Sequence, residues 1–212
     1  MVNLDFRMID GNLHITDYPT ADKILELPDD HMTKRLKDMT LHMVDLIDAK
    51  NFILAYDKSN VNTINQSLLQ SAIINYYKCF GSSNGRHNAL NKSQIFKGFS
   101  ADAKNCFAFF QLLRNKFVAH DDSRYAEAKV GVVINSKTHP PFIDVVSLSL
   151  VAHIATPEYF QPLFNLVVAT LEWVEKEIDR IKQSLISDYK KLGIESFETF
   201  NAIQYVPPTD FD

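Results

Sequence analysis

The chain is short of cysteine: Cys79 and Cys106 are its only two. Both fall inside apolar helical patterns without metal-ligand spacing, so they read as buried free thiols of a reducing compartment rather than as a disulfide. Long apolar runs are missing too. The best stretch, Leu163 to Leu171, stops at Glu172, well short of the roughly 18 residues that a membrane span needs. The opening MVNLDFRMIDG lacks the basic start and apolar run of a secretory leader. These absences predict a cytoplasmic protein with no membrane partner. Internal repeats and low-complexity segments are also lacking. Gly81-Ser-Ser-Asn-Gly85-Arg86 has the composition of a phosphate cradle, but no strand precedes it and no Gly-Lys-Ser/Thr closes it, which excludes a P-loop. The chain has no His-Glu-x-x-His for zinc, and no Gly-x-Ser-x-Gly or Cys–His arrangement for side-chain nucleophilic catalysis. No motif requires a metal or a cofactor.

What the chain does have is enough length for one core: 212 residues, 46% of them hydrophobic. Its net charge of -4 argues against a polyanionic partner, but the charge is unevenly placed. From Lys78 to His120 seven basic residues (Lys78, Arg86, Lys92, Lys97, Lys104, Arg114 and Lys116) face one acid, Asp102. That surplus of +6 leaves -10 for the remainder. Such asymmetry can build a local positive field inside an acidic protein, and solvated helix faces produce charge runs as well.

The pattern along the chain is mainly helical. Residues 3–16 alternate around Asp10-Gly11, a dipeptide suited to a tight hairpin. Pro19 and Pro28 bracket a short helical piece, Ala21 to Leu27, and Asp29 or Asp30 can cap a long helix with the stripe Met32, Leu36, Met39, Met43, Leu46 and Ile53. A second helix starts near Asn62, runs through Ile64, Leu68, Ala72 and Tyr76, and ends at Gly81. A polar, basic loop leads through Ile95, Phe96 and Phe99 to a third, strongly apolar helix, Ala101 to Asp122. The period then changes to two over Val130–Ile134 and Phe142–Leu148, which predicts two strands. Thr156 caps a last helix with Pro157 at its first position. Its stripe, from Phe160 through Val167, Val174 and Ile181 to Leu192, ends at Gly193 and is longer than a small monomeric core needs, so part of it is free to face a second subunit.

The architecture expected is therefore an up-and-down helical bundle of four to five helices with a β-hairpin insertion between the third and last long helices. It forms one domain over 1–212, with the core at about 30–193, the insertion at about 129–149, and a docked tail over 194–212.

On the third helix, at about 100° per residue, Phe110, Leu113 and Phe117 form the apolar face. Arg114 falls on one flank and His120 on the other, about 120° apart and roughly 9 Å along the axis, with Asn115 and Lys116 pointing outward. Two explanations suit these residues. Cations in a last turn are stabilised by the negative helix end, and Asp121 and Asp122 can pair with them. Alternatively they handle a phosphate: arginine offers a fixed fork of donors, histidine takes and gives a proton near neutrality, and an adjacent amide orients either.

The segment RNKFVAH, Arg114 to His120, resembles the R-(4–6 residues)-H signature of HEPN domains, including the polar residue after the arginine, here Asn115. The surrounding LLRNKFVAHDD is similar to the form in abortive-infection-type members, and the resemblance spans roughly Asp30 to Gly193. It implies an all-α bundle that dimerises so that two motifs face one another across a cleft. The implied activity is a metal-independent endoribonuclease, in a toxin or phage-defence role, with an antitoxin or regulator as a further partner. On this chain it implies His120 as general acid or base, Arg114 on the scissile phosphate and Asn115 as the orienting amide. Lys116 is a plausible phosphate contact, and Arg86 is a second candidate for reaching the substrate. The family also includes members that bind nucleotide, RNA or protein without cutting, and the strand insertion departs from the minimal bundle.

Three other groups stand out. Asp38, His42 and Asp45 lie at helical spacing and could in principle hold a metal, but a solvated face explains them more simply. Tyr76 and Tyr77 could stack bases, although a bundle more often buries such rings and hydrogen-bonds them. His139 and His153 have no recognisable partner.

Overall fold

The computed structural model describes residues 6–9, 12–15, 18, 21, 24–81, 85–118 and 126–203. The chain is mainly α-helical, with an antiparallel hairpin set between helical elements. Its elements are β1 (Phe6–Ile9), β2 (Asn12–Ile15), α1 (His31–Leu54), α2 (Asn62–Lys78), α3 (Lys92–Ile95) and α4 (Ala101–Leu113). A π-helical turn (Arg114–Val118), β3 (Ala126–Ile134), β4 (Phe142–Val151), α5 (Pro157–Tyr189) and a 3-10 turn (Ile194–Phe197) follow. Backbone packing divides the chain into two compact units, 37–179 and 1–36 with 180–212. Among the described residues no helix is long and apolar enough to cross a membrane.

In the larger unit, α1, α2, α4 and α5 meet around large side chains that exclude water completely. Leu46, Leu69, Ile73, Tyr76, Leu163, Val167 and Val174 have no exposed surface. Burying such groups is the main favourable term in folding, worth about 1.5–3 kcal/mol per large apolar side chain. Two tyrosine hydroxyls hold the layers in register. Tyr76 meets the Thr170 hydroxyl of α5 at 3.1 Å, and Tyr77 donates to the Phe107 carbonyl of α4 at 2.5 Å. Burial raises the pKa of both phenols, so they stay protonated as donors. Their rings sit inside the core, which rules out the base-stacking role considered for them.

The stripe of α2 is shifted from the expected one. Asn65 and Leu69 are buried while Ile64 is 48% exposed, because Asn65 Nδ2 bonds the Asp57 carbonyl at 2.8 Å and turns that face inward. The helix also ends earlier than Gly81. Backbone bonds from Cys79 to Tyr76 and from Phe80 to Tyr77 tighten its last turn.

The smaller unit contains β1 paired with β2 in antiparallel register, Phe6 opposite Ile15. The turn residues Asp10 and Gly11 lie outside the described residues. Residues 24–27 are extended instead of helical. Leu25 bridges Ala202, Glu26 N–H donates to Asn201 at 2.8 Å, and Ile203 N–H donates to Ile24 at 3.1 Å. A seven-residue helix has to overcome a costly nucleus, and backbone pairing with the tail satisfies the same groups. The tail thus docks, and Tyr189, Phe197 and Phe200 add an aromatic trio with centroids 5.5–6.2 Å apart. Asp30 and Thr33 cap α1 reciprocally: Thr33 N–H donates to Asp30 Oδ1 at 2.8 Å and Asp30 N–H to Thr33 Oγ1 at 2.9 Å.

Because Leu163 is fully enclosed, Leu163→Ala should lower the unfolding free energy by about 2–5 kcal/mol. Tyr76→Phe, which removes one buried hydroxyl, should cost about 1 kcal/mol. Urea unfolding followed by circular dichroism checks both.

Candidate functional site

Ser100 starts α4 by accepting the Ala103 N–H at 3.2 Å, with Asp102 in the first turn where the helix dipole favours an acid. The helix then buries Phe107, Phe110 and Leu113. Phe107 is surrounded by rings: Phe96 at 4.8 Å, Tyr77 and Phe80 at 5.0 Å, and Tyr76 at 6.1 Å. Together with the hydrogen bond from Tyr77, these contacts hold α4 rigidly two turns before Arg114.

At Arg114 the α-helical ladder gives way to a π-helical turn that continues to Val118 and lies beside α2. The helix does not run uninterrupted to Asp122 as the sequence implied. The uniform 100° wheel therefore no longer applies beyond Arg114. Arg114 is exposed along with Asn115 and Lys116. Arg114 Nη1 donates to Asn115 Oδ1 at 3.0 Å, and among the described residues this is the guanidinium's partner. The bond orients the planar fork and turns the amide nitrogen of Asn115 away from it. π-Turns within helices occur frequently at functional sites. His120, with Asp121 and Asp122, lies outside the described residues.

Arg86 is placed elsewhere. Its side chain is 8% exposed and forms an ion pair with Asp45 of α1 through Nη2 and Oδ2, while Nη1 meets His42 Nδ1 at 3.2 Å. Lys78 reaches the other oxygen of Asp45 at 3.0 Å. Asp38, about two turns before Asp45, accepts Asn88 N–H at 2.9 Å, Asn88 Nδ2 at 2.7 Å and His87 N–H at 3.3 Å. His42 uses both ring nitrogens: Nε2 donates to the Asn88 carbonyl at 2.8 Å and Nδ1 accepts from Arg86.

The solvated face expected for Asp38, His42 and Asp45 is thus overturned; the three are 2%, 0% and 5% exposed. A buried charge must find a partner, and the loop before α3 supplies them. Their ligand atoms are occupied by protein donors, and among the described residues no group of His, Cys, Asp and Glu is arranged to hold a metal. The sequence carried a usable signal. These three residues share the phase of Met39, Leu46 and Ala49, so an inward-facing acid had to be matched by a distant base.

Burial lowers the pKa of His42, with Arg86 adding to the effect and the Asn88 carbonyl opposing it. Burial and the nearby Asp45 carboxylate push the Cys79 thiol up to about 12. Cys106 is raised as well by burial. It lines an open, largely apolar groove of about 460 Å³ with Phe109, Phe110, Tyr159 and Pro162. Neither thiol is an activated nucleophile. No family model, curated protein or solved structure matches the chain.

Two expectations follow from the buried cluster. His42 has a folded pKa below the ordinary value of 6.5, so the unfolded chain binds more protons as the pH falls below about 6.5. The melting temperature should therefore hold above that pH and fall below it, and His42→Gln should flatten the fall. Arg86→Met leaves Asp45 buried with only the largely exposed Lys78, and should cost about 3–5 kcal/mol. Lys78→Met should cost about 1 kcal/mol or less. Denaturant titrations of the two variants separate these magnitudes.

Proposed function

We propose that the protein is an endoribonuclease of the HEPN type, an up-and-down bundle acting as a homodimer on RNA in a toxin or phage-defence role. The observation that carries this reading is the Arg114–Asn115 pair. An exposed guanidinium, oriented by a neighbouring amide at 3.0 Å, sits at the opened end of a helix clamped by an aromatic cluster. A rigidly held cation facing solvent suits a phosphodiester better than a flexible one does, because it is already oriented when charge develops on the phosphoryl oxygens.

In this reaction the RNA 2'-oxygen forms a bond to the adjacent phosphorus as the P–O5' bond breaks. The products are a 2',3'-cyclic phosphate and a 5'-hydroxyl end. His120 transfers the proton, either taking it from the 2'-hydroxyl or giving it to the departing O5'. Arg114 holds the phosphoryl oxygens, Asn115 orients the arginine or the phosphate, and Lys116 adds charge along the RNA backbone. Arg86 is not assigned to the substrate, since its buried guanidinium is committed to Asp45 and His42. An antitoxin or regulator would act by covering Arg114.

Incubation of the purified chain with end-labelled RNA in EDTA tests the proposal. Cleavage to cyclic-phosphate ends is expected. His120→Ala should reduce the rate by about 100-fold or more, and Arg114→Ala by about 100- to 1,000-fold, both with unchanged circular dichroism. RNA binding without cleavage, weakened by Arg114→Ala, would instead identify a non-catalytic binding module. Variants that alter only the melting temperature would reduce the motif to a stabilised helix end.

A further inference from the structure

The hairpin β3–β4 confines its described charges to one face. Cross-strand partners share a face, and the register pairs Val130 with Ser147, Val132 with Val145 and Ile134 with Phe142. One face therefore carries Val130, Val132, Ile134, Phe142 and Val145, and none of the side chains described on it is charged. The other face mixes Glu127, Lys129 and Asp144 with Val133, Val146 and Leu148, and Glu127 and Lys129 pair at 3.5 Å. In a hairpin that packs on its own domain, the apolar face would be the hidden one. Here it is open: Val130 is 74% exposed, Val132 63%, Ile134 61%, Phe142 55% and Val145 54%.

A two-stranded hairpin is at best marginal in water. It needs a third strand or a packed layer on its apolar face, and among the described residues nothing provides either. We propose that this face is the surface on which a second copy of the chain docks, hairpin against hairpin, forming a two-layer, four-stranded sandwich across a twofold axis. Three features favour a second copy over another partner. With no described charge on the face, self-association brings no like charges together, and Glu127, Lys129 and Asp144 stay in water. The face is also graded in size. Ile134 and Phe142 are bulky at the loop end, whereas Ala128 and Ser149, directly paired, are small at the opposite end. A twofold axis near its centre lays the bulky end of one hairpin over the small end of the other, which is the self-complementarity an isologous interface requires. Finally, the five large side chains expose on the order of 500 Å² per chain, so mutual burial gives about 1,000 Å² in total, the level at which an interface is biologically credible. Two such layers pack about 10 Å apart.

The inference rests on the hairpin alone and stands apart from the nuclease proposal, although a homodimer is what that proposal requires. Its test is the mass of the intact chain in solution by sedimentation equilibrium over a concentration series. The wild-type chain should approach twice 24.2 kDa. Val132→Glu, at the centre of the apolar face, should sediment as a monomer with unchanged helical circular dichroism. Lys129→Glu, on the charged face, should remain a dimer. A wild-type monomer at every concentration would overturn the proposal, and so would a Val132→Glu dimer as tight as the wild type. If Val132→Glu fails to fold, Val132→Cys decides the question. It should be captured as a covalent dimer by a short bis-maleimide under conditions where the wild-type chain, with Cys106 alone partly accessible, is not; equal capture of both rejects the interface. None of these measurements uses RNA, so loss of cleavage and loss of dimerisation are read independently.

Discussion

A buried carboxylate cannot be left unpaired, and Asp45 answers that constraint with Arg86. The pair is nearly dry on both sides, 7% and 8% exposed, and removing either member would strand a charge in the core. Its consequences extend along α1. The same guanidinium fixes the tautomer of His42, whose other nitrogen bonds the Asn88 carbonyl, while Asp38 closes the loop by accepting the amides of His87 and Asn88. A stretch with little regular structure thus has its backbone groups satisfied by side chains of a helix. With that loop anchored, Leu90, Ile95 and Phe96 enter the core and lead the chain into α4.

The aromatic cluster carries this order onward to the motif. Phe96 and Phe107 are 4.8 Å apart and Tyr77 donates to the Phe107 carbonyl, so α4 is held from two sides before it reaches Arg114. Rigid support followed by a locally widened turn is a way to present polar groups without surrendering the packing behind them. The electrostatics change in the same step. Two of the seven cations between Lys78 and His120, Lys78 and Arg86, pair with Asp45, whose single charge offsets one of theirs. Lys92 lies over the Phe107 ring at 5.5 Å. The positive surplus visible in the sequence is smaller at the surface, and Arg114 and Lys116 remain as the exposed cations of the π-turn.

None of the described hairpin side chains is buried in the helical core, which is why its composition matters. Its strands are longer than periodicity suggested, Ala126–Ile134 and Phe142–Val151, because residues at the end away from the connecting loop continue the antiparallel ladder. An element held by its own backbone bonds and carrying an apolar face in the open is under a different constraint from the bundle that bears it.

Much of the architecture was legible in the residues. The stripes of α1 and α5, the cap at Asp30, the proline opening α5 and both hairpins are local patterns, and neighbours a few positions apart suffice to specify them. The phase of α2, the extended conformation of residues 24–27, the π-turn at Arg114 and the destination of Arg86 were not legible. Each depends on a partner remote in the chain: the tail for Leu25, α2 for the π-turn, and a helix 44 positions upstream for the guanidinium that meets His42. Short-range periodicity determined which segments are helix and which are strand. Only the folded chain, by bringing an acid and a base into one dry space where neither is tolerated alone, decided which charges hold the core and which remain at the surface.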